Sequence, residues 1–210
     1  MSMLIKFKDL VLESLKDHKK LIIGLYILFI ICFIAAWILS GEAVNSISSS
    51  LPAINGTNTN TGLSTTEIFI HNEFGGIMTY VSSVFFAIPA IVMIIFNGAN
   101  LGTLGALFNT ILPNGGIMYI FYLIPHGIFE ITATIIQSAA GVLLFLFIVR
   151  FLRTWIGKDS NGASDAFEKS KKLLIHSIIL MIFSTILLVI AAPVEAYLSV
   201  PFSEFIMGLF

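Results

Sequence analysis

All eleven lysines and arginines of this 210-residue chain lie in two short segments. Five fall between Lys6 and Lys20, and six between Arg150 and Lys172. The stretches from Leu21 to Val149 and from Leu173 to Phe210 hold none, and Ile, Leu, Phe, Val and Ala dominate them. A bilayer gives this arrangement its physical sense. Charged bases are costly at its centre, and loops rich in Lys and Arg stay cytoplasmic. The two clusters therefore mark cytoplasmic segments, and the rest is expected to span the membrane or face outside. Composition agrees: the chain is 57% hydrophobic and 11% charged, with mean hydropathy +0.99, which excludes an ordinary soluble domain. The single cysteine, Cys32, sits in an apolar run, so neither a disulfide framework nor a Cys-based metal site is expected.

The pattern predicts an all-α integral membrane protein with about five crossings. Residues 1–20 place Met3, Leu4, Phe7, Leu10, Val11 and Leu15 on one helical stripe, with Lys6, Asp9, Glu13, Lys16 and Lys20 on the other side. This is an amphipathic helix at the cytoplasmic interface, read as an anchor for the first span, residues 21–39. Residues 40–76 form an external loop, which carries the sequon Asn55-Gly56-Thr57. Within it, Ser64-Thr65-Thr66-Glu67 has capping-box spacing, which predicts a short helix over 64–74 with Gly75-Gly76 as a hinge. The second span is 77–97.

Residues 99–150 are too long for one crossing, and Pro113-Asn114-Gly115-Gly116 and Pro125-His126-Gly127 divide them. An external loop before Ile77 and a basic loop after Arg150 demand an odd number of crossings between them. The reading is a broken third span in 99–124 and a fourth in 126–150. Residues 151–172 are a basic cytoplasmic loop, 173–195 the fifth span and 196–210 an external tail. The N-terminus is then cytoplasmic and the C-terminus external.

Several polar groups sit where lipid would reject them. His126 and Glu130 are one helical turn apart, and the stripe continues through Thr134, Gln137 or Ser138, and Gly141. Glu195 follows Pro193 at the end of the fifth span, at the same depth, as do His71, Asn72 and Glu73 before the second. Three readings stay open: a polar clasp between helices, a proton or ion site, and a metal site with His126, Glu130 and Glu195 as ligands and His71 as a further candidate. These ligand types suit zinc, without the His-Glu-x-x-His spacing of metalloproteases. Gly98-x-x-x-Gly102, extended by Ala106, has the small-residue spacing that lets helices approach closely. Asn97 and Asn100 are expected to cap helix ends at a chain reversal.

The string Asn97-Gly98-Ala99-Asn100-Leu101-Gly102, then Pro125-His126-Gly127-Ile128-Phe129-Glu130, then Ala139-Ala140-Gly141, resembles the stage II sporulation protein M family. Ala191-Ala192-Pro193-Val194-Glu195-Ala196 resembles that family's closing pattern, and Asn72 matches a recurrent Asn. The resemblance covers roughly residues 64–200, and the Pro-His-Gly-x-x-Glu segment is its specific part. It implies a small polytopic membrane protein. In spore formers such a protein acts with cell-wall hydrolases during engulfment, as an anchor and scaffold; the family also occurs in archaea and in bacteria that do not sporulate. The expected function is a non-enzymatic membrane scaffold in an envelope or membrane-remodelling assembly. The alternatives are a permease-like subunit with an ion or proton site, and an intramembrane metal-dependent hydrolase. Expected partners are membrane lipids and other membrane or envelope proteins, a homo-oligomer stays open, and no nucleic acid is expected.

Overall fold

The computed structural model describes residues 3–48, 64–157 and 162–209, with the backbone alone over 42–48. The Asn55-Gly56-Thr57 sequon, with the rest of residues 49–63, and Lys158 and Asp159 lie outside the described residues. Six helices account for all the regular structure among the described residues: α1 Met3–Asp17, α2 Lys19–Ser48, α3 Thr65–Ser82, α4 Ile88–Ile111, α5 Gly115–Ile156 and α6 Ala163–Met207. Four stretches are long and apolar enough to cross a membrane: Lys19–Gly41, Ile88–Ile111, Gly115–Ile156 and Ala163–Met207. The all-α membrane class is as expected; four helices meet these criteria where the parity argument expects five crossings.

The helix breaks differ from the segment borders read in the sequence. Residues 77–97 are not one helix, because α3 stops at Ser82 and α4 starts at Ile88. The hydroxyl of Ser83 donates to the carbonyl of Thr79 at 2.7 Å, and that of Ser82 donates to Met78, in competition with the backbone ladder. Val84 and Phe85 close tighter turns onto the carbonyls of Val81 and Ser82. Pro89 then falls in the first turn of α4, where its missing N–H is no loss.

The capping box at the start of α3 is formed. Ser64 N–H donates to Glu67 Oε2 at 2.7 Å, and Glu67 N–H donates to Ser64 Oγ at 3.3 Å. The Ser64 amide holds the Glu67 carboxyl below its usual range. The helix runs on to Ser82 rather than stopping near 74, and Gly75-Gly76 lies inside it without a hinge.

The Pro113-Asn114-Gly115-Gly116 break is present as a turn between α4 and α5. Asn114 takes φ 55°, the left-handed region that Asn tolerates, and a Cβ on Gly115 would run into the carbonyl of Phe108. Pro125 makes no break. α5 runs through it, and α6 runs through Pro193 and Pro201. A membrane helix accommodates proline when its surroundings satisfy the carbonyl that the ring leaves free. Residues 126–150 therefore belong to a helix that begins at Gly115, and Asn97 and Asn100 lie within α4 instead of capping a reversal.

The chain forms two compact units. Unit 1 comprises Met1–Tyr26, Glu73–Ile94 and Ala133–Ile186; unit 2 comprises Ile27–Asn72, Ile95–Thr132 and Leu187–Phe210. All eleven Lys and Arg fall within the first range, and none within the second.

In unit 1 the amphipathic α1 lies on α6. Val11 and Ser14 are buried, two turns and one turn before His18, while Met3 and Leu4 at the end of the expected stripe are 88% and 79% exposed. Lys172 Nζ stands 2.8 Å from Glu13 Oε1 and 2.9 Å from Asp17 Oδ2. His18 Nε2 is 3.0 Å from His176 Nδ1, so one of the two rings must donate and the other accept. The hydrogen bond from Lys172 holds the Asp17 carboxyl below its usual range. Burial, then the neighbouring His176, holds the His18 imidazole below its own. Both lowered groups bind protons more weakly folded than unfolded, so both contributions are present at high pH and lost on acidification. The His18 contribution fades as pH falls below the ordinary histidine range, and the Asp17 contribution as pH falls through its lowered value. A spin label at position 8 of α1 should therefore gain mobility in two steps on acidification. A constant spectrum from neutral pH to below the carboxylate range would contradict this attachment.

Unit 2 packs the apolar part of α2 on α4 through small residues. Gly98 and Gly102 face the backbone of Phe29 and Phe33, and Gly105 faces the indole of Trp37. The expected Gly98-x-x-x-Gly102 contact is thus formed, with Gly105 extending it; the neighbouring Ala106 is 2% exposed. Tyr119 of α5 donates its hydroxyl to the carbonyl of Leu101 at 2.9 Å, and its ring lies against Phe108 and Trp37.

Candidate functional site

α5 presents Tyr122, His126 and Glu130 at four-residue intervals, on one helical stripe. α6 presents Glu195 and Ser199 in the same way. Within unit 2 the two stripes meet. His126 is 4% exposed, and its Nδ1 lies 2.7 Å from Ser199 Oγ. Ser199 in turn donates to the carbonyl of Val194 at 3.3 Å. The direction of the Nδ1–Ser199 contact follows the imidazole tautomer, so Nε2 faces Glu130 either as a lone pair or as an N–H. That nitrogen stands 3.9 Å from Glu130 Oε2. Tyr122 donates to Glu195 Oε1 at 3.5 Å and packs edge-on against the His126 ring at 5.2 Å. One ligand atom from each of His126, Glu130 and Glu195 lies within 4.8 Å of the other two.

An imidazole and two carboxylates therefore converge here, with the Tyr122 hydroxyl on Glu195. Unit 2 contains no Lys or Arg to neutralise the two carboxylates. A cation would suit the arrangement: a shared proton, or a metal ion held by Nε2 and the carboxylates. Zinc binds such ligands at about 2.0–2.2 Å, which puts tetrahedral ligand atoms roughly 3.4 Å apart, so modest rotamer shifts would close the set. The Nδ1–Ser199 contact is of the kind that orients a histidine whose other nitrogen takes a metal.

Two clusters in unit 1 show what the alternatives look like. Glu13, Asp17 and His176 also lie within metal-ligand reach of one another, but the Lys172 ammonium already sits on both carboxylates. Glu73, 8% exposed, accepts from Gln137 Nε2 at 3.1 Å on one oxygen and from Thr185 Oγ1 at 2.7 Å on the other. That is a structural clasp: its acceptors meet donors, and Gly76 leaves the room Gln137 fills. The cluster in unit 2 has no lysine or arginine on its carboxylates, and Glu195 meets the Tyr122 hydroxyl.

A cavity of about 460 Å³ in unit 2 adjoins the cluster through Tyr122. Leu104, Phe108, Tyr119, Ser203 and Glu204 also line it.

The other sequence candidates take different places. Asn72 is half-buried on α3, and among the described residues no hydrogen bond or ion pair ties it to the cluster. His71 is exposed and outside the ligand set. Pro125 and Gly127 flank His126 on α5, and a Cβ on Gly127 would press on Leu123 at 3.2 Å. Gly141 passes Ser83 and Ala90 in unit 1, and Asn97 and Gly98 lie side by side in α4. Tyr122 and Ser199 were missing from the sequence-based set. Each is one turn from a member of it, so extending the stripes by four residues would have found them. Thr185 as partner of Glu73 had no such signal.

The sequence profile of the stage II sporulation protein M family matches residues 25–200, which include every residue of the cluster. An uncharacterised protein of Methanocaldococcus jannaschii is 32% identical over 126 residues, 60% of this chain. The chain covers 65% of the length of that relative. No solved structure matches the chain significantly. With its apolar helices and this match over most of its length, the chain is a multi-pass membrane protein that belongs to the stage II sporulation protein M family.

Proposed function

We propose that this protein is a permease-like membrane subunit whose His126, Glu130 and Glu195 hold one divalent transition-metal cation. One observation carries the reading: an imidazole and two carboxylates converge in a unit without a single lysine or arginine. An imidazole nitrogen with two carboxylates selects zinc-class ions over magnesium or calcium, which prefer all-oxygen sites. Three protein ligands leave a coordination position open, the arrangement of sites that exchange or activate a ligand rather than merely brace a fold. The adjoining cavity offers space beside it. Scaffolding alone would need only a matched clasp of the Glu73 kind. The open position also favours a second reading, metal-assisted hydrolysis with Tyr122 beside the bound substrate.

The test is metal stoichiometry. Protein purified in detergent, stripped with chelator and titrated with zinc, manganese or calcium should take up one zinc-class ion per chain, and His126→Ala should take up none. Equal zinc uptake by both proteins would reject the site. Proton uptake without any metal binding would replace the metal by a proton in the same place.

A further inference from the structure

Unit 1 carries a groove of about 440 Å³ that the site above does not use. Arg150, Arg153 and Thr154 line its polar side, and Leu146, Val149 and Leu173 its apolar side. The arginines are one turn apart on α5, so both guanidinium groups reach the same space. The lysines at the start of α6 are all engaged: Lys169 with Asp165, Lys171 with Glu168, and Lys172 with Glu13 and Asp17. Among the described residues no carboxylate pairs with Arg150 or Arg153, and none lines the groove. Two free guanidinium groups with a hydroxyl beside them suit a phosphate, which accepts their N–H groups in pairs.

The aliphatic wall adds the second half of the ligand. A free phosphate in water gains nothing from Leu146, Val149 and Leu173, whereas an acyl chain buries apolar surface against them. The aromatic run on the same helix fits a membrane boundary. Phe147, Phe151 and Trp155 follow at four-residue steps with adjacent rings 6.1 and 5.9 Å apart, and Trp155 is 50% exposed. We propose that this groove binds an anionic phospholipid, its phosphate on Arg150, Arg153 and Thr154 and one acyl chain along Leu146, Val149 and Leu173. The ordinary reading of these arginines, solvated charges at a helix end, gives them no preference among ligands of like charge.

Native mass spectrometry of the full chain in neutral detergent separates the two. Short-chain phosphatidylglycerol should give a bound adduct, while phosphatidylcholine and inorganic phosphate at the same concentration should not. The Arg150→Gln/Arg153→Gln pair should weaken the adduct at least about tenfold. Lys169→Gln, which removes a charge outside the groove, should leave it unchanged. Both arginines are exposed, so the fold should persist; the Arg150→Lys/Arg153→Lys pair controls for it and should bind between wild type and the Gln pair. Undiminished phosphatidylglycerol binding by the Gln pair would overturn the site. Phosphate binding as tightly as the lipid would overturn the acyl half of it, and an equal loss in Lys169→Gln would reduce the effect to net charge.

Discussion

Glu130→Gln should abolish zinc binding and, with no metal present, leave the protein as stable as wild type or more so. The substitution keeps the shape of the side chain and removes one of two facing negative groups. In metal-free wild type those groups face each other beside the His126 imidazole, in a unit without lysine or arginine. Relief of the repulsion between them offsets whatever hydrogen bonding the amide fails to reproduce. Added zinc then separates the proteins. Ligand that binds only the folded state stabilises it by about 4 kcal/mol at a thousandfold excess over Kd, so wild type should gain strongly and the Gln variant nothing. Glu195→Gln should behave alike, whereas Ser199→Ala should weaken zinc binding about 10–100-fold, because it removes the hydroxyl that orients His126. Thermal unfolding in detergent with and without zinc measures all of this. A Gln variant that is markedly less stable than the metal-free wild type, with zinc shifting neither protein, would make the cluster a clasp and return the protein to a scaffold.

The sequence made the membrane class legible because charge is costly in lipid, and the absence of bases over two long stretches admits no other environment. The meeting of His126 with Glu130 was equally legible, since a four-residue spacing on a helix fixes a shared face. Glu195 could be set beside them only through a depth argument, which worked because polar groups on apolar helices gather away from lipid. Helix ends were harder to read. Proline and glycine pairs looked like breaks at Gly75-Gly76 and Pro125, yet the helices run through both; the break at 83–87 came instead from serine hydroxyls bonding back to carbonyls. In a membrane helix the balance between continuing and stopping depends on tertiary partners for a few carbonyls, and local sequence does not name them. The Thr185–Glu73 bond joins residues 112 positions apart, beyond the reach of any periodicity.

The approach of α4 to α2 in unit 2 carries the other large effect. At Gly102 a Cβ would strike the carbonyl oxygen of Phe33 and lie 3.0 Å from the Trp37 nitrogen. Both are backbone atoms, so no side chain can swing aside, and the helices must separate. Separation would also loosen Gly98 from Phe29 and Gly105 from the Trp37 ring, because the three glycines share one contact. Gly102→Val should therefore cost about 3 kcal/mol, the upper end of overpacking penalties. Gly24 gives the control on α2, since nothing lies within 4 Å of its Cβ position. There alanine only improves helix propensity, by at most about 1 kcal/mol, so Gly24→Ala should be neutral or stabilising. Unfolding midpoints in detergent should fall in the order Gly24→Ala, wild type, Gly102→Ala, Gly102→Val. A Gly102→Val midpoint equal to wild type would mean that α4 and α2 are not held together at this contact.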